Sequence, residues 1–132
     1  MQNKLYRAKR KVNGNDWIKG FYYEIDVHCY ILEISEDGKC LPFADITVDK
    51  ETVCKYTNLP DRNNVEICEK DIVRCDIDDE IYTVEWDEDD AQFVLVQEGF
   101  IESFSNISNR SCEVLGNVFD NPEYLTGTTE TD

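Results

Sequence analysis

The chain has 132 residues, 41% hydrophobic and 11% aromatic, enough for one core or two small lobes and too apolar for an intrinsically disordered segment. Its formal net charge is −16, yet Lys4, Arg7, Lys9, Arg10 and Lys11 place +5 in the first fifteen residues and leave −21 for the rest. A surface of that sign repels nucleic-acid phosphates, and its self-repulsion should make the fold more stable as salt rises.

Leu5–Arg10 reads as a short strand, and the Asn-Gly signal within Val12–Asp16 turns it into a second extended run from Trp17 through Ile25. His28–Ile34 is rich in strand formers. Asp37-Gly38 then favours a two-residue turn that sets Glu36 opposite Lys39 and Ile34 opposite Leu41. Pro42 limits that hairpin, because it cannot donate to a ladder. Asp49 is placed to cap a short connecting helix through Glu51, Thr52 and Val53. The run Asn58–Asn64 is turn chemistry and marks a boundary between lobes.

Four further strands follow, Asp71–Ile77, Glu80–Trp86, Ala91–Gln97 and Cys112–Phe119, at a spacing that suits a small barrel. A two-residue turn at Asp78-Asp79 would set Val73 against Val84 and Cys75 against Tyr82. A four-residue loop at Asp87–Asp90 would set Val84 against Phe93 and Tyr82 against Leu95. Both registers point Tyr82, Val84 and Trp86 inward. The expected organisation is a β lobe with a short helix over 1–57, a barrel lobe over 58–122 and a loose tail over 123–132, forming one compact unit.

The segment Glu51–Leu59, followed by Asp61–Val73, resembles the central motif of the YopX family of phage and prophage proteins. Tyr6–Lys9 with Asp16–Tyr22 is similar to that family's opening, and Val114–Glu123 to its ending. The sequence departs from the pattern at Cys54, Asn58, Asn64 and Lys70, where glycine is expected, and at Cys68, where an aromatic residue is expected. Asn tolerates the left-handed backbone that a turn glycine supplies; Lys and Cys do so less readily. The resemblance implies a β-rich fold with an SH3-like barrel element, a phage or prophage origin and oligomerisation. It brings no catalytic residues.

The strongest chemical signal is acidic. Nine of the fifteen residues from Asp76 to Asp90 are carboxylates: Asp76, Asp78, Asp79, Glu80, Glu85, Asp87, Glu88, Asp89 and Asp90; no Lys or Arg occurs between Arg74 and Arg110. Crowded carboxylates at hairpin turns blunt strand edges, and gathered into one patch they imitate the phosphate row of a duplex and attract a basic protein. A calcium loop is not formed on this pattern, since Ala91 holds the fifth ligand position and Gln92 stands where glycine is needed.

His28 and Cys29 are adjacent on a strand and point to opposite faces, so they cannot act as base and nucleophile. The six cysteines lack a C-x-x-C pair, which argues against zinc and fits small buried hydrophobes in a reducing compartment. No phosphate-binding glycine loop is present. Lys4, Arg7, Lys9, Arg10 and Lys11 read as an exposed strand face that offsets the acidic lobe of its own chain or of a neighbouring copy, a polarity suited to head-to-tail assembly.

The expectation is therefore a non-enzymatic phage or prophage protein in the cytoplasm of a bacterial host, without cofactor, metal or membrane partner. It would bind and inhibit a basic, nucleic-acid-handling host protein, of the restriction or CRISPR nuclease kind, and form a homo-oligomer. The rivals are an oligomeric structural or scaffold protein and a small barrel that binds nucleic acid directly.

Overall fold

A computed structural model describes residues 5–11, 16–34, 40–104 and 107–125. It is mainly β. Two sheets have the strand orders β4-β3-β2-β1-β5-β6 and β10-β9-β8-β7-β11, and the chain divides into two compact units, Met1–Tyr56 and Thr57–Asp132.

In the first unit, β1 (Tyr6–Lys9) pairs antiparallel with β2 (Trp17–Ile25) from Tyr6↔Gly20 to Lys9↔Trp17. Strand β2 pairs with β3 (His28–Ile34) up to Ile25↔His28, so Asp26 and Val27 form a tight turn that Asp26 enters at φ 56°. The period-2 pattern selects one buried face: Ala8, Ile18, Cys29, Ile31 and Val48 form the core, with Tyr6, Tyr22, Ile46 and Val53 against it. Gly20 belongs to that face for a steric reason, since a Cβ there would lie 2.0 Å from the Leu32 carbonyl oxygen.

Strand β4 (Cys40–Thr47) places Cys40 opposite Ile34, where Leu41 was expected, and the β3–β4 register shifts between Leu32 and Ile34. The Asp37-Gly38 and Asn13-Gly14 turns lie outside the described residues. The connector is a single 3-10 turn, Lys50–Thr52. The Asp49 carboxylate accepts from Glu51 N–H at 3.2 Å, and Thr52 donates to the Asp49 carbonyl at 2.7 Å while accepting from Lys9 N–H at 2.8 Å. Strand β5 (Cys54–Pro60) then begins with Arg7↔Cys54.

In the second unit β5 runs through Asn58, so the turn expected from Asn58 onward starts only at Asp61. Thr57 explains the difference. Its hydroxyl donates to the Ile67 carbonyl at 2.8 Å and accepts from Leu59 N–H at 3.1 Å, which lets Asn58 take φ 66° without ending the strand. After β6 (Glu66–Cys68), Lys70 turns the chain at φ 71° into β7 (Asp71–Cys75). Asn58, Asn64 and Lys70, three of the four sites where glycine was expected, do adopt left-handed backbone, whereas Cys54 is a strand residue that needs none.

Strands β7, β8 (Glu80–Asp87), β9 (Gln92–Gln97) and β10 (Phe100–Ser103) form a meander, and β11 (Cys112–Asn117) returns beside β7. Both expected registers are corrected by two residues. Val73 faces Tyr82 because the first turn spans Asp76–Asp79, and Val84 faces Leu95 because the loop spans 88–91. A slip of two preserves the side-chain face. Tyr82 and Val84 accordingly stay in the core with Ile67, Val73, Cys75, Leu95, Phe104 and Cys112, while Trp86 is half-buried and meets Phe93 edge-on at 4.9 Å.

The closed barrel is not found. Among the described residues no ladder joins β10 to β11, so the five strands remain an open sheet. Strand β10 lay outside the four-strand expectation; Gly99, at φ 74°, supplies the turn that adds it.

Candidate functional site

Consecutive turns of a meander lie at opposite ends of its sheet. The eight residues of β8 separate the two acidic bends by about 23 Å at the usual strand rise, more than two Debye lengths of about 8 Å at physiological salt. The nine carboxylates therefore do not form the single coherent patch expected of them.

At the Asp76–Asp79 end the charges are partly neutralised. Arg62 donates through Nη1 to both Asp76 oxygens, and Arg74 reaches Asp79 at 2.7 Å, Glu113 at 3.3 Å and Asp76 at 3.4 Å. Its guanidinium is held above its ordinary pKa chiefly by the bond to Asp79, then by that to Glu113. Asp78 accepts from Glu80 N–H at 3.0 Å and from the Tyr82 hydroxyl, and that phenol is pushed well up by the Asp78 bond and then by desolvation. Glu80 accepts from Gln97 at 2.8 Å, and Glu85 pairs with Lys70 at 2.8 Å.

The other end is different. Asp87 closes β8 and accepts from Asp89 N–H at 3.1 Å, and Glu88 accepts from the Trp86 indole at 2.9 Å. Glu88, Asp89 and Asp90 are exposed, and among the described residues no Lys or Arg pairs with Asp87, Glu88, Asp89 or Asp90. Ala91, at φ 52°, closes this loop. Four carboxylates on successive residues thus crowd one sheet end, three of them exposed and Asp87 half-buried beneath them.

Sequence reasoning missed Asp61, which is fully buried. Its Oδ1 accepts from Asn63 and Val65 N–H, each at 2.8 Å, and its Oδ2 from Val114 N–H at 2.9 Å, tying the 61–65 turn to β11. That turn carries Arg62 to Asp76, and Asn64 to the Arg110 guanidinium at 2.9 Å. The signal was present in the Asp-Arg-Asn-Asn run, but its long-range partner was not. A groove of about 1140 Å3 on β8, β9 and β10 is lined by Ile81, Thr83, Val96 and Ile101, with Glu80 and Glu98 beside them.

Of the basic cluster, Lys4 lies outside the described residues. Arg7 and Lys9 lie over the Trp17 ring at 4.6 and 5.4 Å, Arg10 pairs through its backbone with Val48, and Lys11 is exposed. His28 is exposed and Cys29 buried, as their alternation requires. Among the described residues no three His, Cys, Asp or Glu side chains gather as a metal-binding group, and no helix is long and apolar enough to cross a membrane.

These observations define a mainly β protein of two antiparallel sheets whose exposed chemistry is carboxylate on hairpin ends. The chain belongs to the YopX protein family, whose model matches residues 5–126. Comparison with curated protein sequences gives no match.

Proposed function

We propose that this YopX-family chain is a non-enzymatic accessory protein of phage or prophage type that binds and inhibits a basic, nucleic-acid-handling host protein, such as a restriction or CRISPR nuclease. Family membership supports the phage or prophage setting. The observation that carries the binding mode is the unpaired acidic loop: Asp87, Glu88, Asp89 and Asp90 present their charge on one sheet end without a described cation partner. Such a group attracts lysine- and arginine-rich surfaces through a field that salt screens. Capture of nucleic-acid-binding proteins from bacterial lysate at low salt, lost at high salt and lost on Asp89→Lys with Asp90→Lys, is the expected result. Capture that ignores both changes removes the loop as the contact.

A second reading, an oligomeric structural protein, draws on β10. That edge strand exposes Phe100 and Ile101, the latter at 68%, and an open apolar edge is suited to pairing with another copy. Light scattering separates the two: a stable oligomer that retains no basic host protein supports the structural role.

A further inference from the structure

Cys75 closes β7 and Cys112 opens β11. The two residues stand directly opposite each other, with both side chains fully buried and their sulfurs 3.4 Å apart. They form a non-hydrogen-bonded pair, because the Cys112 carbonyl turns away from β7 to accept from Arg62 N–H at 2.9 Å, while the next pair outward carries the ladder bond from Asp76 N–H to Ser111 at 2.8 Å. Opposed Cα atoms at such positions stand about 4.5 Å apart, inside the range of about 4.4–6.8 Å that a disulfide spans. Rotation about the two Cα–Cβ bonds can bring the sulfurs to bonding distance without separating the strands.

We infer that Cys75 and Cys112 form a dithiol modification site, which a small neutral hydroperoxide converts to an intramolecular disulfide in the folded protein and which a thiol reductant restores. Either sulfur can donate in this contact. Because the Cys112 thiol can donate to the Ser108 carbonyl at 3.6 Å, donation from Cys75 to the Cys112 sulfur is the arrangement that uses both hydrogens, and it favours ionisation of Cys112 over Cys75. The Cys112 thiolate attacks one peroxide oxygen; the O–O bond breaks, its electron pair leaves as hydroxide and is protonated to water, and Cys112 becomes a sulfenic acid. The Cys75 sulfur then attacks the Cys112 sulfur as its proton leaves. The S–O bond breaks, and the departing oxygen takes up a proton as the second water. Two thiols and one hydrogen peroxide thus give one disulfide and two waters, the sulfurs losing the two electrons that the peroxide gains.

The surroundings select the oxidant. Asp61, Asp76 and Asp78 act on the Cys112 thiol as negative charges, which disfavours an anionic oxidant such as glutathione disulfide. Entry is through the strand end: Cys112 is the first residue of the outermost strand of its sheet and follows the short 3-10 turn Asn109–Ser111, so the local opening that admits peroxide breaks the Arg62–Cys112 and Asp76–Ser111 backbone bonds. The bond would staple β7 to its neighbour β11 and close a loop of chain that contains β8, β9 and β10.

The test is peptide mapping by mass spectrometry on the folded, reduced, full-length chain after exposure to hydrogen peroxide and alkylation of the remaining thiols. The expected product has lost two hydrogens, links the Cys75 and Cys112 peptides, leaves Cys29, Cys40, Cys54 and Cys68 alkylated, and reverts with dithiothreitol. A Cys75→Ala/Cys112→Ala variant should lose the product. Linkage between other cysteines, sulfinic acid at Cys75 or Cys112 without linkage, or formation of the bond only in denaturant would overturn the inference. The wild-type map decides this whether or not the variant folds.

Discussion

The buried Asp61 carboxylate gives the sharpest test of how the second unit is held together. Two opposed terms act on it: desolvation of the charge, which disfavours the folded state, and three charge-assisted bonds from Asn63, Val65 and Val114 N–H, which favour it. Asp61→Ala removes both acceptor oxygens and with them all three bonds. The Asn63 and Val65 amides belong to exposed residues and can be rehydrated, so they cost about 1 kcal/mol each, whereas the Val114 amide faces the cavity left behind and costs about 2 kcal/mol more. The sum, about 4 kcal/mol, is a large share of an ordinary domain's stability. With a urea slope of about 2 kcal/mol/M the unfolding midpoint falls by about 2 M. Asp61→Asn keeps one acceptor oxygen but turns an amide donor toward an N–H, and should lose about 2 kcal/mol. Urea melts followed by circular dichroism measure both. An Asp61→Asn protein as stable as wild type, or more so, would show that desolvation outweighs the bonds.

Ala91→Gly should raise stability by about 0.5–1 kcal/mol, because an exposed alanine at φ 52° carries a Cβ penalty that glycine lacks; a lower melting temperature would contradict this. Gly20→Ala should cost at least about 1–3 kcal/mol, since the added Cβ overlaps the Leu32 carbonyl oxygen of the neighbouring strand and the backbone must move; an unchanged urea midpoint would remove that contact from the account. Tyr82 predicts an alkaline effect. Its folded pKa stands above the ordinary 10.0, so the folded state holds the proton more tightly, and the stabilisation is complete below about pH 10 and lost as pH rises through the folded value. Stability curves of Tyr82→Phe and wild type should therefore converge above pH 10, and parallel curves would count against the Asp78 bond. Reversal of Asp89 and Asp90 should leave the unfolding free energy from urea melts within about 0.5 kcal/mol of wild type, as expected for exposed charges, so that lost capture in the lysate assay reports contact and not folding.

Much of the fold was legible because strand alternation is local. Tyr82 and Val84 could be assigned inward from period alone, and a register error of two residues left that assignment intact, since parity and not exact pairing selects a face. The departures came where short-range signals compete. The Asn58–Asn64 run is rich in turn formers, yet Thr57 bonds to Ile67 and prolongs the strand. Asp78-Asp79 resembles a two-residue turn, yet the chain uses all of Asp76–Asp79, with Arg62 and Arg74 brought in to hold Asp76 and Asp79. The 3-10 connector, by contrast, was foreshadowed by Asp49, because a cap acts within its own turn.

Composition and pattern by themselves determined that this chain is β-rich, strongly acidic and a YopX-type sequence, because period, charge count and motif are properties of neighbours along the chain. It took the folded chain to divide the acidic run into two groups, to bring Arg62 across fourteen residues to join Arg74 in partly neutralising the first group while no described Lys or Arg pairs with the second, and to make Cys75 and Cys112 meet. Those outcomes depend on which strand ends fall together, and strand pairing joins residues that the sequence keeps far apart.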